Sequence, residues 1–272
     1  MIQLKEDTSF CDLLVSAHPE LLPKAGEGSL PHDAIPHGTT VLALKYRDGV
    51  MIAGDRMAVE GFNISDRRME KVHRTDAHSA MAIAGAAGPC MEMVRLFQTE
   101  LEHYEKMEGA ELSTAGKANK LGQMIKANLP MAVQGLVVIP VFVGYDVHEG
   151  VGKIYKYDIT GGTWEEDDFY SVGSGGKDAR MTIKKRFRPD LDREEALAIA
   201  LEALQDAADE TLGTAGIDLE RAIYPTVKTV TADGINDVPD EVVHDVYMER
   251  VAPRRVANRK PATRPQPQPQ GG

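Results

Sequence analysis

Apolar residues run almost unbroken over residues 40–46 and 50–53, and Arg47-Asp48-Gly49 between them carries the aspartate-glycine signature of a tight turn. The two runs predict an antiparallel hairpin. Further strands are expected at 71–75 and 79–84, parted by a turn near 76–78 and followed by the small residues Gly85-Ala86-Ala87-Gly88. The period then changes. Met91, Val94, Phe97, Leu101 and Tyr104 recur every three or four residues, which makes one stripe of a helix over 89–106. Leu121, Met124, Ile125 and Leu129 do the same for a helix over 114–128, closed by Pro130. Strands at 136–145, 153–158 and 168–172, with Gly161-Gly162 as a turn, lead to helices at 177–187 and 193–208. Asp192 opens the second of these with Glu195 three residues on, a capping box. Strands over 222–231 and near 235, then a helix over 241–250, complete an α+β order.

The pattern fades at both ends. With 272 residues, 42% of them hydrophobic, and no repeat period, the chain predicts one globular unit over 39–250. Residues 1–38 carry Glu6, Asp7, Asp12 and Glu20, no basic leader and only short apolar runs, so neither a secretion signal nor a membrane span is expected. Phe10, Leu13 and Leu14 could form one short amphipathic turn. Residues 251–272 hold Arg254, Arg255, Arg259, Lys260 and Arg264 before Pro-Gln repeats, and are expected to be a disordered basic tail. A formal net charge of −11 argues against a nucleic-acid partner. Two cysteines, Cys11 and Cys90, cannot make a disulfide framework, and a reducing cytoplasm is the simplest location. The eight histidines show no metal-ligand spacing and no phosphate-binding glycine loop is present, so neither metal nor cofactor is expected.

Candidate chemistry centres on Gly38-Thr39. A threonine hydroxyl is a weak nucleophile without a base beside it. A cut between Gly38 and Thr39 would create one, because an α-amine titrates near 8 and is partly neutral close to physiological pH. Residues 1–38 would then be a propeptide. Asp55 stands at the end of the second strand, opposite Thr39 at the start of the first, and Lys71 opens a later strand. Small residues around Gly85 leave backbone N–H groups approachable, as an oxyanion site requires.

Gly38-Thr39-Thr40-Val41, Ala53-Gly54-Asp55-Arg56, Lys71-Val72 and Ile83-Ala84-Gly85 together resemble the β subunits of the proteasome core particle, of actinobacterial type. The resemblance extends through Leu101-Glu102-His103-Tyr104-Glu105-Lys106, Gly144-Tyr145-Asp146 and Val172-Gly173-Ser174-Gly175. It implies the four-layer αββα sandwich of N-terminal nucleophile hydrolases and a threonine endopeptidase activated by autocatalytic cleavage at Gly38–Thr39. Thr39 would be the nucleophile, Asp55 and Lys71 a charged pair beside it, Gly85 the oxyanion donor, and Ser174 a hydroxyl near the terminal amine. The family's accessory aspartate falls, without gaps, on Thr211, so Asp209 is the nearest carboxylate; Thr214 fits the hydroxyl position that follows. Val59 and Ala87 would hold substrate backbone, while Ala58, Met69, Ile83 and Met91 would line an apolar pocket. Implied partners are proteasome α and other β subunits in stacked heptameric rings, a separate ring ATPase, and tagged or unfolded protein substrates. Two alternatives stay open: an inactive structural β subunit, and another N-terminal nucleophile amidohydrolase.

Overall fold

The computed structural model describes residues 38–61 and 63–258. Most of the expected propeptide, and the tail from residue 259, lie outside the described residues.

Strands β1 (Thr40–Tyr46) and β2 (Gly49–Gly54) form the expected hairpin, with Val41 opposite Gly54 and Tyr46 opposite Gly49. A short hairpin follows, β3 (Ala58–Glu60) and β4 (Asn63–Asp66), then β5 (Val72–Arg74) and β6 (Ser79–Gly85). Helices α1 (Ala87–Glu108), α2 (Thr114–Ala127) and α3 (Leu129–Val133) lead to β7 (Val138–Asp146), β8 (Val151–Tyr157), β9 (Thr163–Glu166) and β10 (Phe169–Gly173). Helices α4 (Gly176–Arg186) and α5 (Arg193–Glu210) precede β11 (Thr226–Thr231) and β12 (Gly234–Asp237). Helix α6 (Asp240–Val246) continues through one π turn at Tyr247–Val251 into α7 (Ala252–Asn258).

Two five-stranded sheets result, ordered β10-β1-β2-β11-β12 and β5-β6-β7-β8-β9. Every strand pair in them is antiparallel. Strand alternation explains why the first runs are apolar on both faces. Val41 and Ala43 of β1 point between the sheets, against Val72, Ala80, Ala82 and Val143, while Leu42 and Leu44 point outward to Ile183, Leu197 and Leu201 of α4 and α5. On the other outer side Met81 and Phe142 meet Val94, Phe97 and Leu121 of α1 and α2, and the Phe97 and Phe142 rings pack edge-on with centroids 5.8 Å apart. The layers are therefore helices, sheet, sheet, helices, as expected.

The differences are local. Strand β11 begins at Thr226 rather than 222, because Pro225 cannot donate to a ladder and residues 218–223 close on themselves by paired Asp218–Ile223 backbone bonds. Hairpin β3–β4 and strand β9 were too short for periodicity to expose. Pro130 does not end the helical region but opens α3 near its first position, where no N–H is needed. The boundary at 250 is corrected too. The chain remains helical to Asn258, because Arg250 pairs with Glu194, and Arg255 with Asp206 and Asp209, along α5.

Candidate active site

Thr39 sits where β1 begins, and the chain's own geometry explains the glycine before it. Gly38 has φ of +98°, and a Cβ there would lie 2.6 Å from Val59 Cγ2 and 3.0 Å from the Gly213 carbonyl oxygen. Only glycine fits both the backbone and the space. The Thr39 hydroxyl donates to the Gly38 carbonyl oxygen at 2.6 Å, and Lys71 Nζ donates to the same oxygen at 3.1 Å.

Lys71, one residue before β5, belongs to the second sheet yet is 3% exposed, and Asp55, at the end of β2 in the first sheet, is 1% exposed. They meet at 2.8 Å. The three ammonium protons of Lys71 have three acceptors: Asp55 Oδ1, the Met57 carbonyl at 2.6 Å and the Gly38 carbonyl. Asp55 is equally saturated, accepting from the backbone N–H groups of Thr40 at 2.8 Å, Met57 at 3.0 Å and Ala215 at 3.2 Å. Burial pulls the Lys71 ammonium below the ordinary lysine range, and the Asp55 carboxylate pulls it partly back. Burial likewise pushes the nearby Cys90 thiol up to about 12, against the Lys71 charge, as suits a thiol buried in the core.

On the far side of Thr39, Ser174 at the end of β10 accepts from the Thr39 N–H at 3.4 Å and donates to the Thr39 carbonyl at 3.1 Å. Thr214 Oγ1 lies 3.2 Å from Ser174 Oγ and 2.6 Å from Thr40 Oγ1, which in turn accepts from the Gly175 N–H. Sequence reasoning missed Thr40; as the outward neighbour of the candidate Thr39 it looks like ordinary strand. It missed Gly173 as well, whose φ of +107° and lack of Cβ allow the Thr39 carbonyl to come close.

Gly85 ends β6 on the same cavity, with φ of +134°. The cavity is about 750 Å³ and is walled by Thr39, Val59, Ile64, Ala84, Gly85 and Leu212, among others. Of the residues expected around a substrate, Val59 lines it. Ala58 and Ile83 are buried, Met69 and Ala87 lie off the wall, and Met91 faces a separate cleft on α1 with Glu92 and Arg95. Asp209 is a correction. It is turned to the outer face of α5, where it pairs with Arg255 and meets Gln205, because one step along a helix rotates a side chain by roughly 100° from the inward-facing Ala208. Among the described residues no carboxylate lines the cavity in its place: Thr211 caps α5, and its hydroxyl accepts from the Gly213 N–H.

Among the described residues no group of His, Cys, Asp or Glu is placed to hold a metal ion, and no helix is long and apolar enough to cross a membrane. Comparison with known proteins places this arrangement in context. The family model described as proteasome subunit matches residues 35–221. The chain is 52% identical over 249 residues to "Proteasome subunit beta 2" of Thermomonospora curvata, covering 91% of this chain and 89% of that one. It is 49% identical over 258 residues to "Proteasome subunit beta" of Acidothermus cellulolyticus, covering 92% and 88%. A similar relative from Stackebrandtia nassauensis is 49% identical over 255 residues. Two stacked sheets between helix pairs, a threonine at the head of the first strand and identity near one half across nine-tenths of the chain lead to one conclusion: this chain belongs to the proteasome subunit family, with the β subunits of actinobacteria.

Proposed function

We propose that this chain is a threonine endopeptidase subunit, made as a precursor and activated by cleavage of its own Gly38–Thr39 bond. The observation that carries the reading is the convergence of the Thr39 hydroxyl and the Lys71 ammonium on one oxygen, the Gly38 carbonyl. Both donors draw electron density from the carbonyl carbon that the same hydroxyl would attack. In the precursor the Oγ–C bond forms, the C–N bond breaks, and the hydroxyl proton ends on the departing nitrogen. Water then hydrolyses the ester, leaving Gly38 with its carboxylate and Thr39 with a free amine. That amine becomes the base for later substrates, with Ser174 beside it. In the precursor Lys71 has all three protons engaged, and after Gly38 leaves it keeps Asp55 and the Met57 carbonyl, so it acts as a fixed positive charge and not as a proton acceptor. The Gly85 N–H stabilises the oxyanion, and water releases the acyl group from Thr39.

Membership of the family supports assembly with other proteasome subunits. The proposal extends this to stacked α and β rings in the cytoplasm, supplied with unfolded or tagged proteins by a separate ATPase. The Thr39→Ala variant is expected to keep residues 1–38 attached and to lose all peptidase activity with its fold unchanged. Intact mass, circular dichroism and a fluorogenic peptide assay check the three parts. The second reading, an inactive structural subunit, is favoured by the turning away of Asp209 and the hydroxyl at Thr211. Wild-type chains that still begin before Thr39 in assembled particles would establish it and end the enzymatic one.

A further inference from the structure

At hairpin β3–β4 the cavity at Thr39 has a neighbour. Ile64 of β4 is also a wall of a second cleft of about 660 Å³, lined by Asp66, Arg67, Arg68, Arg221 and Ile223. We propose that this cleft is a subsite for an acidic side chain of the polypeptide substrate, an inference that rests on the peptidase reading above.

The charge inventory is the first argument. The chain as a whole is acidic, at −11, and Arg186 at the end of α4, Arg188 in the loop after it, Arg250 in the π turn and Arg255 of α7 each have a carboxylate partner. Two of the cleft's three arginines do not. Among the described residues, neither Arg67 nor Arg68 has a carboxylate within ion-pair distance; Arg68 uses one nitrogen on the Arg221 backbone carbonyl, at 3.1 Å. Asp66, the cleft's one acidic wall residue, accepts from the Arg68 backbone N–H at 2.7 Å. Arg221 is held by Asp218 at 2.8 Å. Behind Arg68, Arg56 donates to its carbonyl at 3.3 Å and keeps a buried Nε without a partner among the described residues. Guanidinium groups here outnumber carboxylates, and their planar forks suit a carboxylate.

Backbone strain is the second. Ala222, between the cleft residues Arg221 and Ile223, has φ of +48°, the one non-glycine with positive φ among the described residues. Such a conformation costs of order 1–3 kcal/mol and persists where its surroundings impose it, often at binding sites. Here the reciprocal 3.0 Å backbone bonds of Asp218 and Ile223 impose it, fixing Arg221 at the cleft. Adjacency to the Thr39 cavity, with Ile64 as the shared wall, then selects the occupant. A chain laid across the hairpin from Thr39 to the arginines would pass Ile64.

The test uses assembled particles and internally quenched peptides, one neutral sequence and a series with one Glu moved position by position. At one position Glu should raise kcat/KM about five- to tenfold over the neutral peptide at low ionic strength, and salt should shrink the gain. That ratio should fall to about one in Arg67→Ala and below one in Arg67→Glu. A flat scan in the wild type, or a Glu preference that survives Arg67→Glu, would overturn the subsite. So would loss of ring assembly in Arg67→Ala, seen by size-exclusion chromatography, since the arginine would then serve a subunit contact. If wild-type particles with Thr39 at their N-terminus cleave no neutral peptide, the peptidase reading itself falls, and the subsite with it.

Discussion

At the scale of single residues, Lys71 carries the most consequence. It is a buried cation whose protons all have acceptors, so its charge is useful only while it is held. Desolvation lowers its titration below the ordinary value near 10.4, with Asp55 opposing. Two limbs follow for kcat/KM. Activity should rise as the Thr39 amine loses its proton, ordinarily near 8, and fall again below pH 10.4 as Lys71 loses its charge. Lys71→Arg should lower the rate roughly tenfold or more by misplacing the charge, and should remove the alkaline limb, because a guanidinium stays protonated there. Stability runs the other way. Between the folded and unfolded titration points of Lys71 the unfolded chain binds more protons, so its contribution to stability grows with pH across that window. Thr39, Asp55 and Lys71 were legible as residues because a nucleophile, a carboxylate and a cation in that order have few other reasons to combine. Asp209 was misjudged because residue type was visible and helical phase was not.

At the scale of elements, helix α5 shows how local chemistry is read correctly. Asp192 Oδ1 accepts from the Glu195 N–H at 2.8 Å, and Glu195 Oε2 accepts from the Asp192 N–H at 3.1 Å, the reciprocal box that the spacing predicted. Asp192→Ala should cost about 1 kcal/mol and lower Tm by about 2–4 °C, measured by calorimetry with Asp192→Asn as the milder comparison. Stripe assignment was less exact. On α1 the buried residues are Cys90, Met93, Val94, Phe97 and Leu101, so the covered face is turned slightly from the predicted one, leaving Met91 half-exposed and Tyr104 outside. Spacing sets a stripe's width, while the partner sheet sets its centre. Hairpin β3–β4, which stands between the Thr39 cavity and the arginine cleft, left no periodic trace at all, with three and four residues per strand.

At the scale of the whole molecule, the site is an inter-sheet object. Thr39, Asp55 and Ser174 stand at strand ends of one sheet, and Lys71 and Gly85 at strand ends of the other. The separation of the sheets therefore sets the distance from Lys71 to Thr39. Small side chains hold it: Ala43, Ala80 and Ala82 are fully buried between the sheets. Ala82→Leu should overpack this layer, costing about 1–3 kcal/mol in denaturant unfolding. Peptidase activity should fall further than the lost stability explains, because Lys71 and Gly85 move with their sheet. Equal activity per folded molecule would show that the site does not depend on that spacing.

The sequence alone determined the α+β class, the order of the longer elements and the capping of α5, because each depends on spacing within about one helical turn or one hairpin, and it offered Thr39, Asp55 and Lys71 as candidates by residue type. Tertiary structure decided what crosses the sandwich. It brought Lys71 onto the Gly38 carbonyl and Thr214 onto Thr40 and Ser174, set Arg255 against Asp209, and opened the arginine cleft beside Ile64. These juxtapositions join residues far apart in the chain, and their distances follow from how two twisted sheets and their helices pack. No local pattern encodes that packing.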